Sequence, residues 1–418
     1  MDNVTHALAG LLLAEATVAA VARRTGDAPS AGLRRAAIAI GVVGAELPDA
    51  DILYAGPVLD LLGMGQLGYL LHHRGHTHTL VFGLAAALVL WGIARLARRG
   101  QPPVERRALL ALALAATLSH VLLDWTNNYG VHPFWPASNA WHYGDAVFIV
   151  EPWLWIAALA PLLLLARGWV GRVLLGVALG GIVVAAWGTG QVERGVAVAL
   201  TVGAAGWLGV VAAAPAARRV VLGLLAWLAV EGAFFTASAR AERAVAAAVG
   251  PTLRDAVLTP AIGDPRCVRA IVVELDAGTY RVTRATVAPF PALRTADDCR
   301  DRGDALEPGA LASTRAASAQ LRWGGEWSAP AAELATLAGE RCEIAAALRF
   351  IRVPRWSRSP SGDAYVWDVR YGRGGFAGIV APAVRPARCP SPVPPWEMPR
   401  GDVIGEGEAG IADGKIRN

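Results

Sequence analysis

The sequence predicts an α-helical polytopic membrane protein of about eight spans, followed by a small β-rich C-terminal extracytoplasmic domain. Three observations lead to this fold class. Hydrophobic residues make up 54% of the 418 residues and charged residues 17%, whereas the usual charged share is about 25%. Apolar runs of membrane-spanning length recur as far as about residue 238. From about residue 250 the chain is polar and rich in proline and arginine, and it carries all four cysteines.

The apolar runs define the candidate spans, since about 20 such residues cross a bilayer. The second run is the weakest, because Glu46, Asp49 and Asp51 interrupt it, and it should end near Pro48. The segment Ile52–Leu71 is apolar but broken by glycines and a proline, which suits a re-entrant or interfacial segment. The expected spans are residues 4–22, 36–54, 79–97, 107–125, 147–166, 170–188, 196–214 and 220–238.

Arginines are concentrated in alternate loops, between spans one and two, three and four, five and six, and seven and eight. The positive-inside rule assigns these loops to the cytoplasm. We therefore expect a multi-pass protein of the cell inner membrane whose N-terminus and C-terminal domain face the periplasm or cell exterior. The net charge of +5 reflects these loop arginines, which set the topology of the chain in the membrane. No recognition element for nucleic acid accompanies it.

The four cysteines support an exported C-terminal domain. An even number of cysteines in such a domain predicts disulfides, and the sequence leaves three pairings open. A zinc site made by these cysteines is disfavoured, because no pair has the close spacing of zinc ligands. The residues are Cys267, Cys299, Cys342 and Cys389.

Strand and turn signals predict β-structure in the C-terminal domain. Ala270–Leu275 and Thr279–Ala288 are expected to form a hairpin, because Asp276-Ala277-Gly278 between them is a turn sequence. Alternating aromatic residues predict a further strand over Tyr365–Tyr371, and Leu334–Leu348 is expected to be a short helix.

All eight histidines lie between His6 and His142, and most of them neighbour carboxylates at the ends of apolar runs. Ionisable residues in a hydrophobic chain are functional by default. Imidazole and carboxylate together form the ligand set of zinc, manganese or iron. The sequence therefore predicts a metal-site helical domain over residues 1–150, additional transmembrane helices over 151–245 and the exported domain over 246–418.

Two carboxylate-containing motifs are candidate ligands. His120 and Asp124 are four residues apart and share one helix face, and the alternative is a helix-capping histidine beside a solvated aspartate. Asp49 and Asp51 repel each other unless they share a cation, and the alternative is a plain turn with two solvated acids.

The segment from His72 to His78 contains four histidines, of which His73 and His78 are preferred as ligands, His76 is next and His72 last. Arg74 either holds an anionic substrate through its planar guanidinium or anchors a lipid headgroup. His6, at the start of the first span, is taken as a ligand because the other motifs are expected on the same face. The following outward loop could also line the site, through His132, His142, Asp145 and Glu151.

Over about residues 1–150 the ordered motifs resemble the YdjM-like family of membrane-bound metal-dependent hydrolases. The motifs are Thr5-His6-Ala7-Leu8-Ala9-Gly10, Leu47-Pro48-Asp49-Ala50-Asp51, His73-Arg74-Gly75-His76-Thr77-His78-Thr79, and Ser119-His120 with Asp124 and Thr126. Thr79 stands where the family pattern has a serine. The resemblance implies a metal site made by His6, Asp49, Asp51, His73, His78, His120 and Asp124. The later spans and the exported domain fall outside it.

The leading hypothesis is a metal-dependent hydrolase at the outer face of the inner membrane, acting on a membrane lipid or lipid-linked phosphoester. One or two divalent ions are expected, zinc first and manganese as the alternative. Asp49 or Asp51 would take a proton from the metal-bound water, and Arg74 would hold the anionic substrate. Two other hypotheses stay open: a metal or proton transporter, and a non-catalytic protein whose metal staples the bundle.

Overall fold

A computed structural model describes residues 1–28, 30–300, 309–384 and 388–405 of the chain. The helices are α1 (Asn3–Thr25), α2 (Ala31–Glu46), α3 (Leu59–Leu61), α4 (Gln66–His72), α5 (Leu80–Ala97), α6 (Pro103–Trp125), α7 (Pro152–Leu165), α8 (Trp169–Gly188), α9 (Arg194–Ala213), α10 (Ala216–Val249), α11 (Ala331–Glu340), α12 (Cys342–Ala347) and α13 (Gly401–Ile404). The strands are β1 (Leu253–Ala261), β2 (Asp264–Asp276), β3 (Thr279–Val287), β4 (Leu311–Ala312), β5 (Leu321–Pro330), β6 (Pro354–Arg358), β7 (Ala364–Asp368) and β8 (Gly378–Ala381). Single turns of other helix types occur at Leu47–Asp51, Tyr54–Val58 and Gly250–Thr252.

Six helices in the described part of the chain are long and apolar enough to cross a membrane, namely α1, α5, α6, α8, α9 and α10. The second and fifth expected spans are the exceptions, because α2 has 16 residues and α7 has 14. The second ends early, since Pro48 lies in a separate 3-10 turn, Leu47–Asp51. The fifth begins late, since Glu151 is the N-cap residue of α7 and its side chain accepts a hydrogen bond from the Trp153 N–H.

The arginine-bearing loops gather at one end of the bundle. Arg34 donates from Nη2 to the Leu165 carbonyl oxygen at 3.2 Å. Arg219 donates from Nη1 to the Leu164 carbonyl oxygen, also at 3.2 Å. The Arg98 guanidinium lies beside Gly32 in the first turn of α2. The alternation of arginine along the sequence is therefore an alternation between the two ends of the folded bundle.

Helices α1 and α2 cross with their backbones in contact. A Cβ atom on Gly10 would lie 2.2 Å from the Gly41 carbonyl oxygen, and one on Gly41 would lie 2.3 Å from the Gly10 carbonyl oxygen. Glycine is therefore required at both positions of this crossing. The close approach brings the first turn of α1, with His6, next to the carboxylates that follow α2.

The longest helix connects the bundle to the C-terminal domain. α10 has 34 residues and is therefore about 51 Å long, whereas the hydrocarbon core of a bilayer is about 30 Å thick. Its last turns pack Ala241 and Val245 against Leu258 and Val268 of the first two strands. One continuous helix thus leaves the bundle and becomes part of the core of the next domain.

The C-terminal domain contains a five-stranded antiparallel sheet, in the order β1-β2-β3-β5-β4, and a three-stranded sheet, in the order β6-β7-β8. The expected hairpin is confirmed as β2–β3, with positive φ angles at Ala277 (44°) and Gly278 (77°), as a two-residue turn requires. The expected strand over Tyr365–Tyr371 is β7, which ends earlier at Asp368. The expected single helix is two helices, because Arg341 has an extended backbone between α11 and α12.

All four cysteines form disulfides, Cys267–Cys299 and Cys342–Cys389. The second ties α12 to the C-terminal segment that carries Trp396. This segment and the apolar segment Ile52–Leu71 meet in one buried cluster that includes Leu71, Phe350 and Trp396. The described bundle and the C-terminal domain therefore share a hydrophobic core.

Candidate metal centre

Four chain segments converge at the end of the bundle that faces the C-terminal domain. They are the first turn of α1, the Leu47–Asp51 turn, the loop from His73 to His78 and the last turns of α6. The side chains of His6, His78, His120 and Asp124 are fully buried there. The motifs therefore lie close together in the fold, as expected.

The first ligand group consists of Asp49, His78, His120 and Asp124, whose ligand atoms all lie within 4.8 Å of one another. His78 Nε2 is 3.0 Å from His120 Nε2 and 3.0 Å from Asp124 Oδ2. It is also 3.3 Å from Asp49 Oδ1. Among the described residues, neither Asp49 Oδ1 nor Asp124 Oδ2 has a hydrogen-bond partner of good geometry.

The hydrogen-bond network assigns the tautomer of both imidazoles in this group. His120 Nδ1 is 2.5 Å from the Ala45 carbonyl oxygen, so it carries the proton. Thr77 Oγ1 donates to Asp51 Oδ2 at 2.5 Å, and His78 Nδ1 must then donate to Thr77 Oγ1 at 3.0 Å. With Nδ1 engaged in both rings, the two Nε2 atoms are the ones that face the carboxylate oxygens. A divalent cation would take the place of the Nε2 protons in such an arrangement, because neutral imidazole and carboxylate are metal ligands.

A second ligand group consists of Asp49, Asp51 and His73. His73 Nδ1 lies 2.8 Å from Asp51 Oδ1. The other Asp51 oxygen accepts the Arg74 backbone N–H at 3.1 Å, which fixes the orientation of the carboxylate. Because Asp49 belongs to both groups, its carboxylate would supply a ligand to an ion held by either group.

The electrostatics of the cluster favour a cation. Burial alone would lower the pKa of His78, but its contacts with Asp124, Asp49 and Asp51 raise this pKa to about 10. Burial would raise the pKa of Asp49 and Asp51, and the neighbouring histidines instead hold both pKa values well below the usual range. The carboxylates of Asp49, Asp51 and Asp124 therefore favour a positive charge at His78 although the site is buried.

Arg74 lies directly behind this cluster with a positive φ of 60°. Its Nη2 is 3.0 Å from Asp124 Oδ1, and its Nη1 donates to Asn127 Oδ1 at 3.2 Å. The guanidinium carbon is 4.5 Å from the centre of the Tyr129 ring. Because Arg74 is only 3% exposed, its position does not favour the lipid-headgroup anchor, and its guanidinium is paired with Asp124 inside the protein.

His6 lies beside the two ligand groups and belongs to neither of them. Its Nε2 is 3.2 Å from Asp124 Oδ1, and its ring stacks on His120 with the centroids 3.8 Å apart. The amino group of Met1 also contacts Asp124 Oδ1. His6 is thus in place to orient Asp124 and His120, or to join them as a ligand.

The remaining histidines of the His72–His78 segment and the outward loop face the C-terminal domain. His72 Nε2 is 3.1 Å from the Pro392 carbonyl oxygen. His76 lies 4.9 Å from the Trp396 ring, and His132 stacks on the same ring at 3.8 Å. Burial lowers the pKa of His132 to about 3, so it packs as a neutral ring. The expected preference for His73 and His78 agrees with this geometry.

The other outward-loop candidates also lie away from the ligand groups. The His142 ring packs against Phe134 at 5.0 Å. Asp145 forms a bidentate pair with Arg352 of the C-terminal domain, with both N···O distances 2.8 Å. Glu151 accepts a hydrogen bond from the Gly263 N–H at 3.0 Å. Asp145 and Glu151 therefore attach the loop to the C-terminal domain.

Sequence reasoning missed Thr77, Asn127 and Tyr129, which contact the ligands or Arg74. Thr77 lies within the His73–His78 motif, and Asn127 and Tyr129 follow Asp124 within five residues. Their closeness to the motifs could have identified all three as candidates. Tyr371 also lies close to this region, and its position in sequence, far from every motif, gave no signal.

The fold and the ligand groups define a polytopic membrane protein with a candidate metal centre at one end of its helix bundle. A family model described as YdjM inner membrane protein matches residues 1–216, and the chain belongs to this inner-membrane family. The match confirms the resemblance and runs past residue 150 to the start of α10, so α7, α8 and α9 lie inside it. Comparisons with curated proteins and with solved structures find no match.

Proposed function

We propose that the protein is a metal-dependent hydrolase that acts on a lipid or lipid-linked phosphoester. The observation that carries this proposal is the convergence of the His78 and His120 Nε2 atoms with the carboxylate oxygens of Asp49 and Asp124. Membership of an inner-membrane family supports the location. The shared position of Asp49 supports two ions rather than one.

Divalent ions bound here would lower the pKa of a coordinated water and neutralise charge on a phosphoryl group. The protein's own carboxylates differ in access. The Asp49 side chain is 14% exposed, whereas those of Asp51 and Asp124 are 0% exposed. Asp49 is therefore the carboxylate best placed to pass a proton to solvent, and Asp51, held by Thr77 and the Arg74 N–H, orients His73 and His78.

The surroundings of the cluster support a lipid substrate. The segment that directly follows Asp51 exposes Leu53, Leu61 and Leu62, and Leu61 is 88% exposed. An exposed apolar patch of this kind indicates contact with a membrane or an apolar ligand. The arginine-rich loops lie at the other end of the bundle, so the positive-inside rule favours a centre that faces the periplasm or cell exterior. The two disulfides favour the same side.

A metal or proton transporter is the second candidate. It is favoured by Glu231 of α10, whose two carboxylate oxygens are buried without a partner among the described residues. Glu15 of α1 is paired with Arg34 at the arginine-rich end. Since the ligand groups lie at the opposite end, they do not form a path across the bundle, and the hydrolase is the better supported function.

The test is the metal content of the full-length protein purified in mild detergent, measured by mass spectrometry for the wild type, His120→Ala, Asp49→Ala and the control His142→Ala. We expect one or two zinc or manganese ions per chain, lost in the first two variants and kept in the control. A phosphoester and lipid screen of the metal-loaded wild type then tests hydrolysis. A folded wild type that takes up no metal would refute the proposal.

A further inference from the structure

Several buried hydrogen-bond donors next to the metal centre have no partner. Among the described residues, the unpaired atoms are Arg74 Nε, Asn127 Nδ2, Tyr129 Oη and Tyr371 Oη. Unpaired buried donors are unfavourable, and those that occur in folded proteins call for an explanation. Four in one neighbourhood indicate that a ligand with several acceptor atoms completes their hydrogen bonds.

The donors come from both parts of the chain. The Arg74 guanidinium carbon lies 4.5 Å from the Tyr129 ring centre, and the Tyr129 and Tyr371 ring centroids are 6.2 Å apart. Tyr129 also contacts the metal-site histidine His73, with the ring centroids 5.9 Å apart. Tyr371 belongs to the turn after β7, and its neighbour Arg370 fixes this turn to the bundle by donating to the Asn128 carbonyl oxygen at 2.5 Å.

A cavity of about 370 Å³ is lined by three of the four donor residues, and Arg74 lies behind Tyr129. Asn127, Tyr129 and Tyr371 contribute to its wall, and Val147, Ile271 and Phe376 make much of the rest apolar. The volume falls in the range of small-molecule sites, which are mostly apolar with a few convergent polar groups. The cavity lies between the loop after α6 and the five-stranded sheet, so neither part of the chain forms it alone.

The hydrogen-bonding character of these four residues indicates which class of ligand they would bind. Arg74 Nε and Asn127 Nδ2 can only donate, and the two phenols can donate as well. The positive charge of Arg74 is shared with Asp124. Burial raises the pKa of Tyr371 to about 12, so its phenol keeps the proton that it would donate. A tetrahedral oxyanion offers several acceptor oxygens and a negative charge, whereas an amine or another cation would offer the wrong partners.

We infer that Arg74, Asn127, Tyr129 and Tyr371 form a phosphate-binding subsite shared by the helix bundle and the C-terminal domain, and that the adjoining cavity receives the organic group of the phosphoester. The assignment of the ligand as a phosphoester rests on the proposed function. The subsite makes the C-terminal domain a direct part of substrate binding, because Tyr371 contacts the substrate.

The test is calorimetric titration of the full-length protein in detergent with inorganic phosphate and, separately, with glycerol 3-phosphate. Tyr371→Phe and Tyr129→Phe each remove one donor. Tyr143→Phe is the matched control, since its hydroxyl is also buried and unpaired among the described residues, whereas the residue does not line the cavity and its ring packs against Arg352, whose guanidinium carbon is 3.9 Å from the ring centre. Metal content is measured for every sample, and nanodiscs with and without phosphatidic acid distinguish a lipid headgroup from a free phosphate.

We expect Tyr371→Phe and Tyr129→Phe to weaken phosphate binding about tenfold with unchanged metal content, and Tyr143→Phe to bind within about twofold of the wild type. Wild-type affinity in both subsite variants, or no phosphate binding by the wild type, would overturn the inference. Phosphate binding without hydrolysis of any phosphoester would leave the subsite in place and refute the hydrolase. A wild type that contains no metal would count against the hydrolase alone, because phosphate binding by the four donors can still be measured.

Discussion

Thr77 offers a sharp test of the metal centre, because it contacts two ligand residues without being a ligand. Its hydroxyl donates to Asp51 Oδ2 at 2.5 Å and accepts from His78 Nδ1 at 3.0 Å. Thr77→Val keeps the shape of the side chain and removes both hydrogen bonds. His78 would then lose the partner that keeps its proton on Nδ1, and Asp51 would lose one of the donors that orient it.

Loss of a hydrogen-bond partner of a metal ligand typically lowers metal affinity 10-fold to 100-fold, which is about 1.4 to 2.8 kcal/mol. We expect an effect of this size for Thr77→Val. The assay is a zinc competition titration against a fluorescent chelator, with the protein in detergent at pH 7.

Thr79→Val is the matched control. Thr79 is also buried, and its hydroxyl accepts the Phe82 N–H at 3.0 Å as the N-cap of α5. Its loss should cost about 1 kcal/mol of helix stability and leave zinc affinity within about twofold of the wild type. Equal zinc affinities for Thr77→Val and wild type, when His120→Ala binds none, would refute the assignment of the His78 tautomer.

Three further predictions concern the attachment of the C-terminal domain. Arg352→Met leaves Asp145 and a second buried carboxylate without their cation, which should cost about 3–5 kcal/mol and release the domain to protease; an unchanged cleavage rate would contradict this. Burial raises the pKa of Glu151 from 4.5 to about 8, so its stabilisation is full below pH 4.5 and is lost as the pH rises towards 8, by up to about 1.4 kcal/mol per pH unit. Denaturation midpoints from pH 5 to 9 should show this fall in the wild type and a flatter profile in Glu151→Gln. Trp396→Phe removes the hydrogen bond from Nε1 to the Leu71 carbonyl oxygen, 2.7 Å long, and should lower the denaturation midpoint by an amount equivalent to about 1 kcal/mol, whereas no shift would show that the bond is dispensable.

The membrane helices and the ligand motifs could be predicted because each follows from a local pattern. Apolar length indicates the spans, and His120 with Asp124 share a face through helix periodicity alone. The second span was expected to run too far, since apolar residues recur after Pro48, at Ala50, Ile52 and Leu53, although the helix ends at Glu46. The fifth was too long for a similar reason, because residues 147–150 are apolar or small yet precede the cap at Glu151.

The contacts between the two parts of the chain could not be predicted, because they depend on long-range packing. Tyr371 and Trp396 reach the region of the centre only through the arrangement of β7 and the Cys342–Cys389 disulfide. The pairing of the cysteines was open for the same reason. The second partner of His120, the Ala45 carbonyl oxygen, is a backbone group and leaves no mark in the sequence.

The position of Trp396 has a consequence for the order in which the protein matures. Its ring packs on His132 and lies next to Gly75, where an added Cβ would be 3.1 Å from Cζ2. The loop from His73 to His78 is therefore synthesised long before the tryptophan that encloses it. The loop reaches its final packing only when the segment that carries Trp396 lies against it, so the candidate metal centre and the C-terminal domain complete their folding together.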